Sequence, residues 1–265
     1  MVIQPFNKEK AKAELTNFRL QVPLVHCMTN EVAQELTANV LLAIGSSPAM
    51  IVASAEAGDF AKQADALLIN VGTLYPKRDQ AMQCAVKAAC ESGTPWVLDP
   101  VAVGILAYRT NFCQQLLLKH PNAIRGNASE IIALSGGLAT NRGVESANSS
   151  ESALNNAISL AQRTKSIVAV TGEIDYVTDG KTTYAIEGGH ILTTRVVATG
   201  CALSALVAAM LANTKNPLQA TATACMVFSV AAKQAAATIT CQGPGSFKIA
   251  FLDALYHIDQ FIESK

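Results

Sequence analysis

The chain has no excess of charge. Its 20 Lys and Arg offset 20 Asp and Glu, and charged residues make up only 15% of the 265 positions. No basic run is present to meet a phosphate backbone, which argues against a nucleic-acid binder. Half of the residues are apolar, which excludes a disordered chain. Long hydrophobic runs are also missing. The longest uncharged stretch near the C-terminus, Val196 to Thr214, contains Thr199, Gly200, Ser204 and Asn213 and reads as a buried helix rather than a membrane span. The start carries no basic segment followed by an apolar one, so no signal peptide is expected. The seven cysteines (27, 84, 90, 113, 201, 225, 241) are odd in number and form no C-x-x-C pair. Neither a disulfide framework nor a zinc site is supported, and a reduced cytoplasmic setting fits. Gly-x-Ser-x-Gly is absent, and no histidine has an evident nucleophilic partner. His26 and Cys27 are strand neighbours, which point to opposite faces and make a dyad improbable. Linkers, charge blocks and internal repeats are lacking as well, so residues 1–265 are expected to form one domain.

What is there is an alternation of two periods. Short apolar runs at Pro23–Met28, Pro48–Ala53, Ala66–Val71, Trp96–Leu98 and Ile167–Val170 have the length of buried strands. Helical patterns lie between them, at Glu31–Ile44, Lys77–Ser92, Thr110–Lys119, Ser129–Leu134 and Glu151–Thr164. This order predicts an α/β fold with a mostly parallel central sheet and helices on both faces. Asp179-Gly180 between two short strands predicts a hairpin. Ala-rich helices are expected at Cys201–Ala212, Pro217–Thr238 and Phe247–Ile262. Ser135–Ser150, rich in Gly, Asn and Ser, is a loop candidate. The sparse charge fits a large Ala-rich core or a surface covered in an oligomer.

Ligands of open α/β sheets bind beyond the carboxyl ends of the strands. Polar residues and glycines stand there in succession: Thr29-Asn30, Asn70-Val-Gly72, Asp99-Pro100, Arg125-Gly-Asn-Ala-Ser-Glu130 and Thr171-Gly172. The sharpest local feature is Ala198-Thr199-Gly200-Cys201 at the start of an Ala-rich helix. Free N–H groups and the helix field make such a start an anion cradle, and the same field would favour a Cys201 thiolate. Ordinary capping by Thr199 explains the same residues. Asp99 and Glu130 offer the two separated carboxylates that magnesium uses when phosphates complete its shell. Arg125 is a candidate phosphate clamp. The competing reading of Glu130 is a capping box with Asn127. Gly180-Lys181-Thr182 lacks the earlier glycine of a P-loop and reads as the hairpin turn. Gly243-Pro-Gly245 lacks the third glycine of a dinucleotide fingerprint but remains a possible ligand loop.

Eight stretches in order carry a resemblance. They are Pro23–Asn30, Leu42–Met50, Asn70–Thr73, Asp99–Gly104, Ile124–Glu130, Val170–Gly180, Thr199–Ala205 and Gly243–Phe247. Together they make the chain similar to the hydroxyethylthiazole kinases of the ribokinase-like superfamily. The resemblance implies an ATP- and magnesium-dependent phosphorylation of the alcohol of 4-methyl-5-(2-hydroxyethyl)thiazole in thiamine biosynthesis or salvage. It implies a homotrimer with each thiazole site between two subunits. By resemblance, Met50 and Asn30 belong to the substrate pocket, Arg125 and Thr171 to the ATP site, and Asp99 and Glu130 to the magnesium site. Thr199, Gly200 and Cys201 match the anion hole that holds the transferring phosphoryl. The family reads Gly-Thr-Gly-Cys where this chain has Ala198. That position is tied to substrate contact, and the added methyl restricts any positive φ there. Other chemistry on the same fold, such as ATP-dependent repair of a hydrated nicotinamide nucleotide, stays open from sequence. So does a non-catalytic trimer; a cysteine hydrolase ranks last because Cys201 has no apparent base.

Overall fold

In the computed structural model, residues 2–136, 149–238 and 242–263 are described. Nine strands form one sheet in the order β1-β9-β8-β7-β6-β5-β4-β2-β3. They are β1 Val2–Pro5, β2 Leu24–Met28, β3 Ser47–Ala49, β4 Ala66–Asn70, β5 Trp96–Asp99, β6 Ala123–Asn127, β7 Ile167–Thr171, β8 Ile174–Thr178 and β9 Thr182–Glu187. Every pairing is parallel except those of β8 with β7 and β9. The α/β sequence pattern therefore gives the expected mostly parallel sheet, with the hairpin as its one reversal. Its turn is closed by Asp179, whose carboxylate accepts from the backbone N–H groups of Lys181 and Thr182.

Strands β2, β4, β5 and β7 are buried on both faces, which is why they read as continuous apolar runs. Alternation along each strand divides them between two cores. Val25, Leu68, Val97, Ala123 and Ala169 pack with helices α1 (Lys8–Gln21), α2 (Gln34–Ile44), α8 (Thr199–Leu211) and α9 (Pro217–Ala237). Leu67, Ile69, Leu98, Ile124 and Val168 pack on the opposite side with α3 (Ser54–Gln63), α4 (Pro76–Ser92), α5 (Ala107–Leu117), α6 (Ala128–Ser135) and α7 (Leu154–Thr164). Helix α8 is buried from Ala202 to Leu211, lying between the sheet and helices α2 and α9. Its alanines allow that close approach.

Several elements differ from the sequence pattern. Strand β3 stops at Ala49, so Met50 and Ile51 lie in a loop. The last helical pattern is broken at His257 into α10 (Pro244–Tyr256) and α11 (Ile258–Glu263). β1, α1 and α3 were not expected. α1 has little amphipathic contrast, and β1 is a short edge strand. Most of the loop candidate Ser135–Ser150 lies outside the described residues. Gly243-Pro-Gly245 opens α10, with Pro244 in the first turn and Ser246 bonded to the Gly243 backbone. Among the described residues no helix is long and apolar enough to cross a membrane.

Candidate active site

The side-chain parity that builds the two cores also aims the polar strand ends. Asn70 follows Leu68 by two, Asp99 follows Val97, Arg125 follows Ala123 and Thr171 follows Ala169. All four therefore face the side of the sheet that carries α8. The register brings them level, with Asn70 opposite Asp99 and Asn127 opposite Thr171. The N-terminus of α8 meets this row of polar ends.

One side of that terminus is an open cleft of about 800 Å3, lined by Arg125, Thr171, Asp175, Thr199, Gly200 and residues of the 188–194 loop. The Arg125 guanidinium donates to the Thr171 hydroxyl. It lies so close over Gly200 that a Cβ there would come 2.7 Å from its Nη1. Glycine leaves room for the arginine against the first turn of the helix; a larger residue would make the guanidinium shift. Asp175 is buried at the cleft wall and accepts from the Gly172 N–H at 3.0 Å. Burial raises its pKa to about 6, against the lowering effects of that hydrogen bond and Arg125.

The other side is closed. Asn70 is fully buried and accepts from the Gly72 N–H at 2.9 Å and from Asn30 Nδ2 at 3.1 Å. It donates to Asp99 Oδ2 at 2.6 Å. The Asn30 amide also donates to Cys201 Sγ at 3.2 Å, while its own Oδ1 is buried without a partner. Ser204, one turn into α8 beyond Gly200, donates to the Gly200 carbonyl at 3.3 Å and lies close enough to Asp99 to lower its pKa. A polar relay thus runs from Cys201 through Asn30 and Asn70 to Asp99. Burial is the main reason that the Asp99 pKa rises to about 7; Glu130 pushes it further up, while Arg125, Ser204 and Asn70 pull it down.

Cys201 is held as a neutral thiol. Burial first, and then the charge of Asp99, push its pKa up to about 12, against the opposing effects of Asn70, Arg125 and Asn30. This corrects the expectation that the helix field favours a thiolate. A helix N-terminus contributes about 0.3–1 kcal/mol, and up to about 2 in partly buried geometries. A three-unit rise corresponds to about 4 kcal/mol, so desolvation wins. Thr199 does not cap the helix either. It is the first helical residue, and its hydroxyl donates to the carbonyls of Thr193 at 2.8 Å and Val196 at 3.2 Å. Ala198 stands at the N-cap in the left-handed region, with φ 71°. The methyl that distinguishes this chain therefore sits where it is strained.

The capping box expected as the competing reading of Glu130 is present. Its Oε2 accepts from the Asn127 N–H at 2.9 Å, and the Asn127 side-chain Oδ1 accepts from the Glu130 N–H at 3.0 Å. Oε1 accepts from the Ala102 N–H at 3.0 Å, which ties down the loop after β5. Burial raises the Glu130 pKa. Among the described residues no three His, Cys, Asp or Glu gather as a metal cage. Asp99 and Glu130 are nevertheless a fitting pair for magnesium. They are hard oxygen donors, their charges repel one another, and each bonded oxygen keeps a second lone pair.

Met50 and Asn30 do not line the open cleft. Met50 is half-buried in the loop after the edge strand β3, packed against the core on the α8 side. His26 and Cys27 diverge as expected: His26 bonds the Ile51 carbonyl at 2.7 Å, and Cys27 enters the core on the other face. Sequence reasoning placed Asn70 at a strand end without giving it a role, and it passed over Ser204 and Asp175. Strand parity was the signal that could have found Asn70, since an asparagine ending an otherwise apolar run on the Asp99 side has to be satisfied internally.

A protein structure from Enterococcus faecalis V583, described as a ribokinase-like superfamily protein, superposes with a TM-score of 0.69 over 98% of this chain and 96% of that one. At 14% identity it speaks for the fold alone. The hydroxyethylthiazole kinase structure of Pyrococcus horikoshii OT3 superposes with a TM-score of 0.85 and 38% identity, over 94% and 93% of the two chains. The hydroxyethylthiazole kinase of Serratia proteamaculans is 57% identical over 253 residues, covering 96% of this chain and 95% of its own. Residues 15–261 match the model of one family, and by that match and these identities the chain belongs to the hydroxyethylthiazole kinase family.

Proposed function

We propose that this protein transfers the γ-phosphoryl of ATP to the primary alcohol of 4-methyl-5-(2-hydroxyethyl)thiazole, as one kinase domain over residues 1–265. The observation that carries the reading is the Arg125 guanidinium seated over Gly200 at the start of α8, in the wall of a large cleft and with its charge acting on the buried Asp99. Phosphoryl transfer needs positioning and charge stabilisation more than covalent chemistry, and this junction supplies both. Arg125 and Thr171 hold the ATP phosphates in the cleft. The N–H groups of Gly200 and Cys201 receive the oxygens of the transferring group, with Thr199 fixing the approach to the helix. Asp99 and Glu130 hold magnesium, which when bound offsets the phosphate charge. Cys201, a neutral thiol, shapes the anion hole and contacts the acceptor alcohol.

Met50, Asn30 and Ala198 form the alcohol side. Val32 and Val52, each two residues from Asn30 or Met50, are exposed at 66% and 38%. Such apolar surface beside a proposed pocket supports a homotrimer with the thiazole between subunits. A cytoplasmic location fits the unpaired cysteines. The deciding experiment is a coupled ADP-release assay with the thiazole alcohol, with and without magnesium. Turnover that requires both is expected; ADP release with hydrated nicotinamide nucleotide in place of the thiazole alcohol would replace this reading.

A further inference from the structure

One backbone N–H sets the polarity of the whole buried relay. The Gly72 N–H is only a donor, so the atom of Asn70 that it meets must be the carbonyl oxygen. The Asn70 amide nitrogen is then left to face Asp99, where it donates at 2.6 Å. Because Asn70 presents its oxygen to Asn30 as well, Asn30 must answer with its amide nitrogen. That nitrogen has two hydrogens, and the second goes to Cys201 Sγ. The Asn30 oxygen is thereby turned away from every protein donor, and it is buried and unpartnered. A buried acceptor without a partner is costly, and a donor from a ligand would satisfy it. Gly72 also clears the space: a Cβ on it would lie 2.7 Å from Asn30 Cβ.

We propose that Asn70 is a positioning residue for the acceptor alcohol: it fixes the Asn30 amide so that the Asn30 oxygen receives the hydroxyl hydrogen of the substrate beside Cys201. This rests on the kinase reading above and names the device that orients the nucleophile within it. An alcohol donating its hydrogen to Asn30 keeps its lone pairs free for the phosphoryl group. Asn70 touches no reacting atom and acts only through Asn30 and Asp99.

The test is calorimetric binding of the thiazole alcohol and of a non-hydrolysable ATP analogue, with steady-state kinetics alongside. Binding of the alcohol by the unaltered protein tests the kinase reading itself; no binding there would overturn that reading and this proposal with it. Asn70→Ala frees the Asn30 amide, and the alcohol Kd is expected to weaken about tenfold or more while the ATP-analogue Kd stays within about twofold. Asn70→Asp keeps both acceptor bonds, to Gly72 and Asn30, but replaces the amide donor to Asp99 with a second carboxyl, so that the pair shares one proton. It is expected to bind the alcohol within about threefold of the unaltered protein, yet to lose at least about tenfold in kcat. If Asn70→Ala does not fold, Gly72→Ala displaces Asn30 directly and is expected to weaken alcohol binding alone. Unchanged alcohol binding in a folded Asn70→Ala or Gly72→Ala protein overturns the proposal. So does an equal loss of both ligands, which would mark Asn70 as a general support of the fold.

Discussion

The two sides of the α8 N-terminus are built from the same ingredients and behave in opposite ways. On the open side, Arg125 and Thr171 stand in a cleft of about 800 Å3 that water and charged ligands can enter. On the closed side, Asn30, Asn70 and Asp99 are buried and hydrogen-bonded among themselves, with Ser204 buried beside them. The helix field acts on both. On the closed side desolvation outweighs the field and keeps the Cys201 thiol protonated. Local motif and local dielectric are separate determinants, and here the second decides what the first can do.

The comparison can be broken most severely from the open side. Arg125→Ala removes the cation over Gly200, and a loss of about 100- to 1000-fold in kcat/KM for ATP is expected in the ADP-release assay. A variant with near-normal ATP kinetics would remove Arg125 from the phosphate site.

On the closed side the largest effect concerns Asp99 and has a sign. Its folded pKa, about 7, lies above the ordinary value of 3.8 because burial disfavours the charge. Between those values the native state binds the proton and the unfolded state does not. Stability therefore falls as pH rises from about 4 to about 7, and at pH 8 the full cost, on the order of 4 kcal/mol, is present. Asp99→Asn is expected to raise Tm at pH 8 in metal-free protein while lowering activity. The Tm difference should shrink as pH falls from 7 towards 4, as followed by thermal melts across that range.

Cys201 sharpens the contrast further. A thiol that stays neutral is a weak base, so Cys201→Ala is expected to lower kcat by about tenfold without abolishing it. Cys201→Asp is expected to retain or raise activity. A folded, ATP-binding Cys201→Asp protein without turnover would count against any role for this position beyond shape. The smallest effect belongs to Ala198, held at φ 71°. Ala198→Gly should stabilise the protein by about 1 kcal/mol, read as a rise of about 2–4 °C in Tm. No change in Tm would mean that the strain is relieved elsewhere.

Much of this was legible before folding. The apolar runs of β2, β4, β5 and β7 and the patterns of α4 and α7 carry their periodicity openly, because central strands and amphipathic helices must. Residues at the strand ends named the site region. Element ends were less legible: Pro48–Ala53 looked like one strand, but β3 is an edge strand of three residues with the Met50 loop beyond it. α1 stayed hidden because its periodic contrast is weak, and α3 because it is a short helix of ten residues with a glycine inside it.

By itself, the sequence determined the alternation of strand and helix and the parity that turns Asn70, Asp99, Arg125 and Thr171 to one face. These follow from period, which is a local property. Only the tertiary structure decided ionisation and partnership. That Glu130 spends its oxygens on Asn127 and Ala102, that Asn70 joins Asn30 to Asp99, and that the Cys201 thiol stays protonated all depend on burial and on which distant strands become neighbours. Solvation and hydrogen bonding are set by surroundings assembled from residues far apart in the chain.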